Sequence, residues 1–83
     1  MEINKNVTWK SLGEKVVAVK VETGEYYTMN ETASVIWKAL NEGKKVEDIV
    51  EQLCTEYDNP DKASVAQDVE EQISEWKKEL LIN

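Results

Sequence analysis

The chain has 83 residues, 41% of them hydrophobic and 33% charged, with one cysteine, no histidine and a formal net charge of −7. A chain this short is expected to fold as one domain over residues 1–83 with a small core, and no run approaches the ~20 apolar residues of a membrane helix. The lone Cys54 gives no disulfide framework and "MEINKNVTWK" has no apolar signal segment, so the expected setting is the cytoplasm, with no membrane partner.

The charge is unevenly spread. Residues 1–30 hold four acids (Glu2, Glu14, Glu22, Glu25) and four lysines (Lys5, Lys10, Lys15, Lys20). Residues 42–58 hold six acids against two lysines, and residues 61–83 six against three, so the whole excess lies in the C-terminal half. Nucleic-acid binders bring a basic patch to the phosphates; no window here supplies one, which argues against a nucleic-acid partner.

The N-terminal third reads as strands. In "VTWKSL" Val7 and Trp9 alternate with Thr8 and Lys10, and in "KVVAVKV" Val17, Val19 and Val21 share one face while Val16, Ala18 and Lys20 share the other. Gly13-Glu14 supplies a short turn between them. Gly24 in "ETGE" supplies the positive φ for a second tight turn, which leads into a third antiparallel strand over residues 25–29. That strand lies at a sheet edge.

At Asn30 the period becomes helical. Asn30 suits an N-cap, and Ala33, Ile36, Trp37 and Leu40 recur on one helical face until Asn41 and Gly43 stop the helix. A second helix carries Val46, Ile49, Val50, Leu53, Cys54 and Tyr57; Asp58 and Asn59 end it, and Pro60 suits the first turn of the next. The third carries Val65, Val69, Ile73, Trp76 and Leu80 in one stripe. The order β-β-β-α-α-α predicts an α+β domain of the winged helix-turn-helix type, with three helices on one face of a three-stranded antiparallel sheet.

Catalytic chemistry is hard to assemble from this inventory. Without histidine the chain lacks the commonest general base and zinc ligand, Cys54 lies on an apolar stripe where a buried small hydrophobe is expected, and no glycine-rich phosphate loop or EF-hand spacing occurs. Asp68, Glu70, Glu71, Glu75 and Glu79 spread around the third helix and read as a solvated face. No enzyme, metal or cofactor is therefore expected. Two uses of the shape remain: a peptide-binding module, since an edge strand can accept an extended peptide, or a winged-helix transcription regulator, which the acidic helices oppose.

One combination of motifs is more specific. The chain presents a strand, "ETG", paired tyrosines, "MNETASVIW" opening the first helix, "KKVEDIVEQLCTEYD", and an Asp68-Val69 pair in the last helix. Over nearly its whole length this resembles the PqqD family, the standalone form of the RiPP recognition element, whose members carry "LNET" followed by an Ile-Trp pair at the same place. The family usually closes its last helix with a glycine before a leucine, whereas here Glu79 precedes Leu80.

The resemblance implies a non-catalytic peptide chaperone. Such domains bind the leader segment of a ribosomally made precursor peptide, as a strand added to the third strand and lying against the last helix. They hand it to a modifying enzyme such as a radical SAM protein or a lasso-type leader peptidase. The implied binding residues are Tyr26, Tyr27, Thr28 and Met29 on the strand and Val65, Asp68, Val69 and Gln72 across the groove. Strand alternation puts Tyr27 and Met29 on one face and Tyr26 and Thr28 on the other, and Tyr27 and Met29 serve equally well as core.

Overall fold

The computed structural model describes residues 2–83. Three strands, β1 (Val7–Leu12), β2 (Lys15–Lys20) and β3 (Tyr26–Thr28), precede three helices, α1 (Glu31–Asn41), α2 (Val46–Glu56) and α3 (Lys62–Lys78). The sheet is antiparallel in the order β1-β2-β3, with Trp9 opposite Ala18 and Ala18 opposite Tyr27. Because paired residues share a face, Val7, Trp9, Val16, Ala18, Tyr27 and Met29 look toward the helices, and Val17, Val19, Tyr26 and Thr28 look away. β2 is apolar on both faces and does not choose between them. The choice falls to β1, where Val7 and Trp9 alternate with polar Thr8 and Lys10.

β3 is shorter than the five residues its sequence suggests, but its ladder bonds run the full length. The Lys20 N–H donates to the Glu25 carbonyl (2.8 Å) and the Met29 N–H to the Val16 carbonyl (2.9 Å), so the register continues past both ends of the strand. Gly24 at φ +76° makes the turn into it, as expected of a residue in the left-handed region.

α1 begins as its sequence predicts, with Asn30 Oδ1 accepting from the Ala33 N–H at 2.8 Å. Ala33, Ile36, Trp37 and Leu40 are buried, as are Ile49, Val50 and Leu53 of α2 and Val65, Val69, Ile73 and Trp76 of α3. Four expectations need correction. α2 ends at Glu56, so Tyr57, placed on the apolar stripe by its spacing, sits beyond the last turn and is exposed. Cys54 is only half-buried, at the margin of that stripe. Pro60 lies outside α3, because Asp61 takes the cap position and accepts from the Ser64 N–H (3.1 Å).

The fourth correction concerns Leu80, which is 64% exposed. α3 stops at Lys78, and the chain leaves it through a Schellman turn in which the Leu81 N–H donates to the Trp76 carbonyl (2.9 Å) and the Leu80 N–H to the Lys77 carbonyl (3.1 Å). Leu80 therefore stands at φ +60°, the position glycine usually fills, while Glu79 keeps an ordinary φ of −79°. It is Leu80 before Leu81 that occupies the place of a glycine before a leucine. The turn buries Leu81 and Ile82 and carries the tail back to the N-terminal segment, where Ile3 bridges Ile82 and the Asn4 N–H donates to the Leu81 carbonyl (2.9 Å). No helix among the described residues is long and apolar enough to cross a membrane.

Candidate functional site

The backbone of β3 has a definite inside and outside. Since Glu25 and Met29 bond to β2, the antiparallel alternation sends the N–H and C=O of Tyr27 inward as well, and those of Tyr26 and Thr28 outward from the open edge. A buried serine holds the far end of the strand. Ser34 Oγ, on α1, accepts from the Val16 N–H (2.9 Å) and donates to the Met29 carbonyl (3.4 Å), bridging the two backbone groups. One hydroxyl thus ties β2, β3 and α1 together where the chain changes from strand to helix.

Facing this edge is one side of α3. Tyr27, Thr28, Met29, Asn30 and Ala33 on one wall and Gln72, Glu75, Trp76 and Glu79 on the other enclose a groove of about 250 Å³. Helical spacing explains the second wall, because positions 72, 75, 76 and 79 lie one above another. The apolar floor consists of Met29 (4% exposed), Ala33 and Trp76. Its position is set by three edge-to-face rings, with Trp76 5.2 Å from Trp37 and Trp37 6.4 Å from Trp9 of β1. Among the described residues the buried Trp37 Nε1–H has no hydrogen-bond partner, a desolvation cost set against the packing of the three rings.

The end of the groove nearest the Gly24 turn is acidic. The Tyr27 hydroxyl is 3.2 Å from Glu79 Oε2 and 3.4 Å from Glu25 Oε2, and Lys20 Nζ lies 5.6 Å from the centre of its ring. Partial desolvation raises the Tyr27 phenol above its usual value; Lys20 opposes the rise, and Glu79 and Glu25 add to it. The phenol is therefore a neutral donor at pH 7, held between carboxylates. Among the described residues no cluster of histidine, cysteine or acid side chains could hold a metal ion. What this arrangement offers is recognition: unpaired backbone groups, an apolar floor and an acidic rim.

Of the residues expected to line the site, Tyr27, Thr28, Met29 and Gln72 meet in the groove. Tyr26 lies on the opposite face of the sheet, 73% exposed. Val65 and Asp68 line a neighbouring recess of about 220 Å³ with Thr32, Ile36, Leu53 and Tyr57, one turn further along α3. Val69 lines neither: it points to the centre of the core and is fully buried. The sequence reading missed Ala33, Trp76, Glu75 and Glu79 as walls and Ser34 as the support. Continuing the polar row Asp68–Gln72 by further steps of three and four leads to Glu75 and Glu79, so part of the wall had a signal. Ser34 had none. A larger depression on α2, bordered by Lys44, Asp48, Glu51, Gln52, Thr55 and Glu56, is a charged surface whose Lys44, Gln52 and Glu56 bond to one another, without free strand backbone.

Comparison with known proteins follows the same line. Residues 15–82 match the family described as coenzyme PQQ synthesis protein D (PqqD). Among solved structures, the chain is similar to "TbiB1 in Complex with the TbiA(beta) Leader Peptide", at 30% identity and a TM-score of 0.93, covering 100% of this chain and 95% of that one. It is also similar to "Lasso peptide synthetase B1 complexed with the leader peptide", at 20% identity and a TM-score of 0.89, covering 98% and 94%. No curated protein matches.

Proposed function

The chain belongs to the PqqD family, and we propose that it is a RiPP recognition element, a single non-catalytic domain that binds the leader segment of a ribosomally synthesised precursor peptide. The leader adds as a fourth strand beside β3 and lies in the groove against α3, and the complex is presented to a peptide-modifying enzyme, such as a radical SAM protein or a leader peptidase. The observation that carries this reading is the outward pair of backbone groups at Tyr26 and Thr28, standing across from Gln72, Glu75 and Trp76. Main-chain bonds to such an edge supply affinity, and the pockets beside it supply selectivity. Both similar structures hold leader peptides, which supports the same use here.

Tyr27, Thr28, Met29 and Gln72 act in the groove in this reading, with Val65 and Asp68 in the recess beyond it and Tyr26 on the outer face of the sheet, beside the added strand. Val69 acts only as the core residue beneath them. The excess acid at Glu25, Glu75 and Glu79 favours a lysine or arginine in the leader near the Gly24 end of the groove. Amide chemical-shift mapping with a synthetic leader peptide of a candidate precursor tests the proposal. Perturbations are expected on β3, the start of α1 and the Gln72–Glu79 side of α3, and to persist at moderate salt. Perturbations confined to the outer surface of α2 would overturn it.

A further inference from the structure

The outer face of the sheet carries a residue that the groove leaves unexplained. Tyr26 projects away from the helices, is 73% exposed, and its hydroxyl has no hydrogen-bond partner among the described residues. Edge strands are ordinarily guarded by lysine, proline or a bulge. β1, the other edge, carries Lys10 on this face, whereas β3 offers only Tyr26 and Thr28. Tyr26 also continues a row across the sheet, from Thr8 through Val19 to its own ring, beside the partly buried Val17 and the exposed Val21. That row stops at the open edge where the proposed ligand strand would lie.

A strand added there has its geometry imposed. In an antiparallel pairing the ligand residue abreast of Tyr26 takes both its outward N–H and C=O, and in a parallel pairing the two residues flanking it do; in either case the side chain abreast of Tyr26 lies on the same face as its ring. The two neighbours of that ligand residue then point the other way, into the groove over Met29, Ala33 and Trp76. This holds whichever way the peptide runs. Resting on the leader-binding proposal, we infer that Tyr26 is a specificity-determining residue that reads the leader's outward side, selecting a β-branched or aromatic residue between two groove-facing positions. Aromatic pairs with β-branched or aromatic partners are among the favourable cross-strand neighbours, and Val19 already flanks the ring on its other side. The leader is thus recognised on both faces of one strand.

A displayed library of random twelve-residue peptides, selected in parallel on the wild-type protein, Tyr26→Ala and Thr28→Pro, tests this; circular dichroism verifies the fold of each variant. Peptides enriched on the wild type should share one β-branched or aromatic position between two apolar ones. On Tyr26→Ala the central preference should vanish and the flanking ones remain. A selected peptide with valine at that position should lose up to about fivefold in affinity on Tyr26→Ala, and its glycine counterpart should lose nothing. If the central preference is absent, or survives unchanged on Tyr26→Ala, the inference is overturned while strand addition stands. If folded Thr28→Pro retains the enriched peptides as well as the wild type does, strand addition fails, and the inference fails with it.

Discussion

The two edges of the sheet expose the same kind of backbone and differ in everything that surrounds it. β1 pairs with β2 over six residues, and its outward groups, at Trp9 and Ser11, follow from the Val21 N–H bond to the Asn6 carbonyl, which sets the alternation. β3 pairs over three, and its ends depend on a glycine turn, two flanking ladder bonds and the Ser34 hydroxyl. β1 is therefore held by its own length, and β3 by its neighbours. Yet it is the short edge that faces a wall: α3 packs on α2, and the gap it leaves beside β3 is the groove. An unpaired edge becomes a recognition site when another element stands at the right distance to receive side chains from an added strand, and β3 meets that condition.

Proline substitutions should separate the two edges most sharply. Thr28→Pro removes an outward N–H and crowds the incoming strand, so leader affinity should fall about ten- to hundredfold with the circular dichroism spectrum retained. Ser11→Pro removes an equally outward N–H from β1 and should leave affinity unchanged. Equal losses from both would mean that β3 is not the preferred edge. A titration of the intrinsic tryptophan fluorescence, to which Trp76 on the groove floor contributes, measures both.

The dependence of β3 on its surroundings is tested next. Ser34→Ala leaves the buried Val16 N–H without its acceptor and is expected to cost about 1–3 kcal/mol, read by urea unfolding. Leader binding should weaken with it, because the end of β3 loosens. If stability falls while affinity stays constant, β3 is held by its ladder bonds alone, and the contrast with β1 narrows.

The smallest effect concerns what sets the opposite wall. Leu80 at φ +60° bears a conformational cost that glycine avoids, so Leu80→Gly should stabilise the fold by about 1 kcal/mol, less what glycine adds to the entropy of the unfolded chain. Since the turn returns the tail to Asn4 and Ile3 just before β1, leader affinity should change little. A loss of stability in thermal unfolding would show that the exposed Leu80 side chain packs more usefully than its exposure implies.

Much of the fold was readable because its determinants are local. Asn30 caps α1 through a residue three positions away, Gly24 turns the chain within one bend, and the buried faces of α1, α2 and α3 follow from spacings of three and four. Local pattern fails where the same residue type has two possible fates. Leu80 and Leu81 are adjacent leucines, and which is buried depends on where α3 stops. The site divides in the same way. That Tyr26 and Tyr27 lie on opposite faces is a property of any strand, and the sequence alone determined it. Which of them turns its backbone outward was decided by the register with β2, and that Gln72, Glu75 and Glu79 rather than Val69 stand across from them was decided by how α3 is anchored through Trp76, Leu81 and Ile82. Those anchors join positions dozens of residues apart, and no spacing within a strand or a helix encodes the distance between two elements.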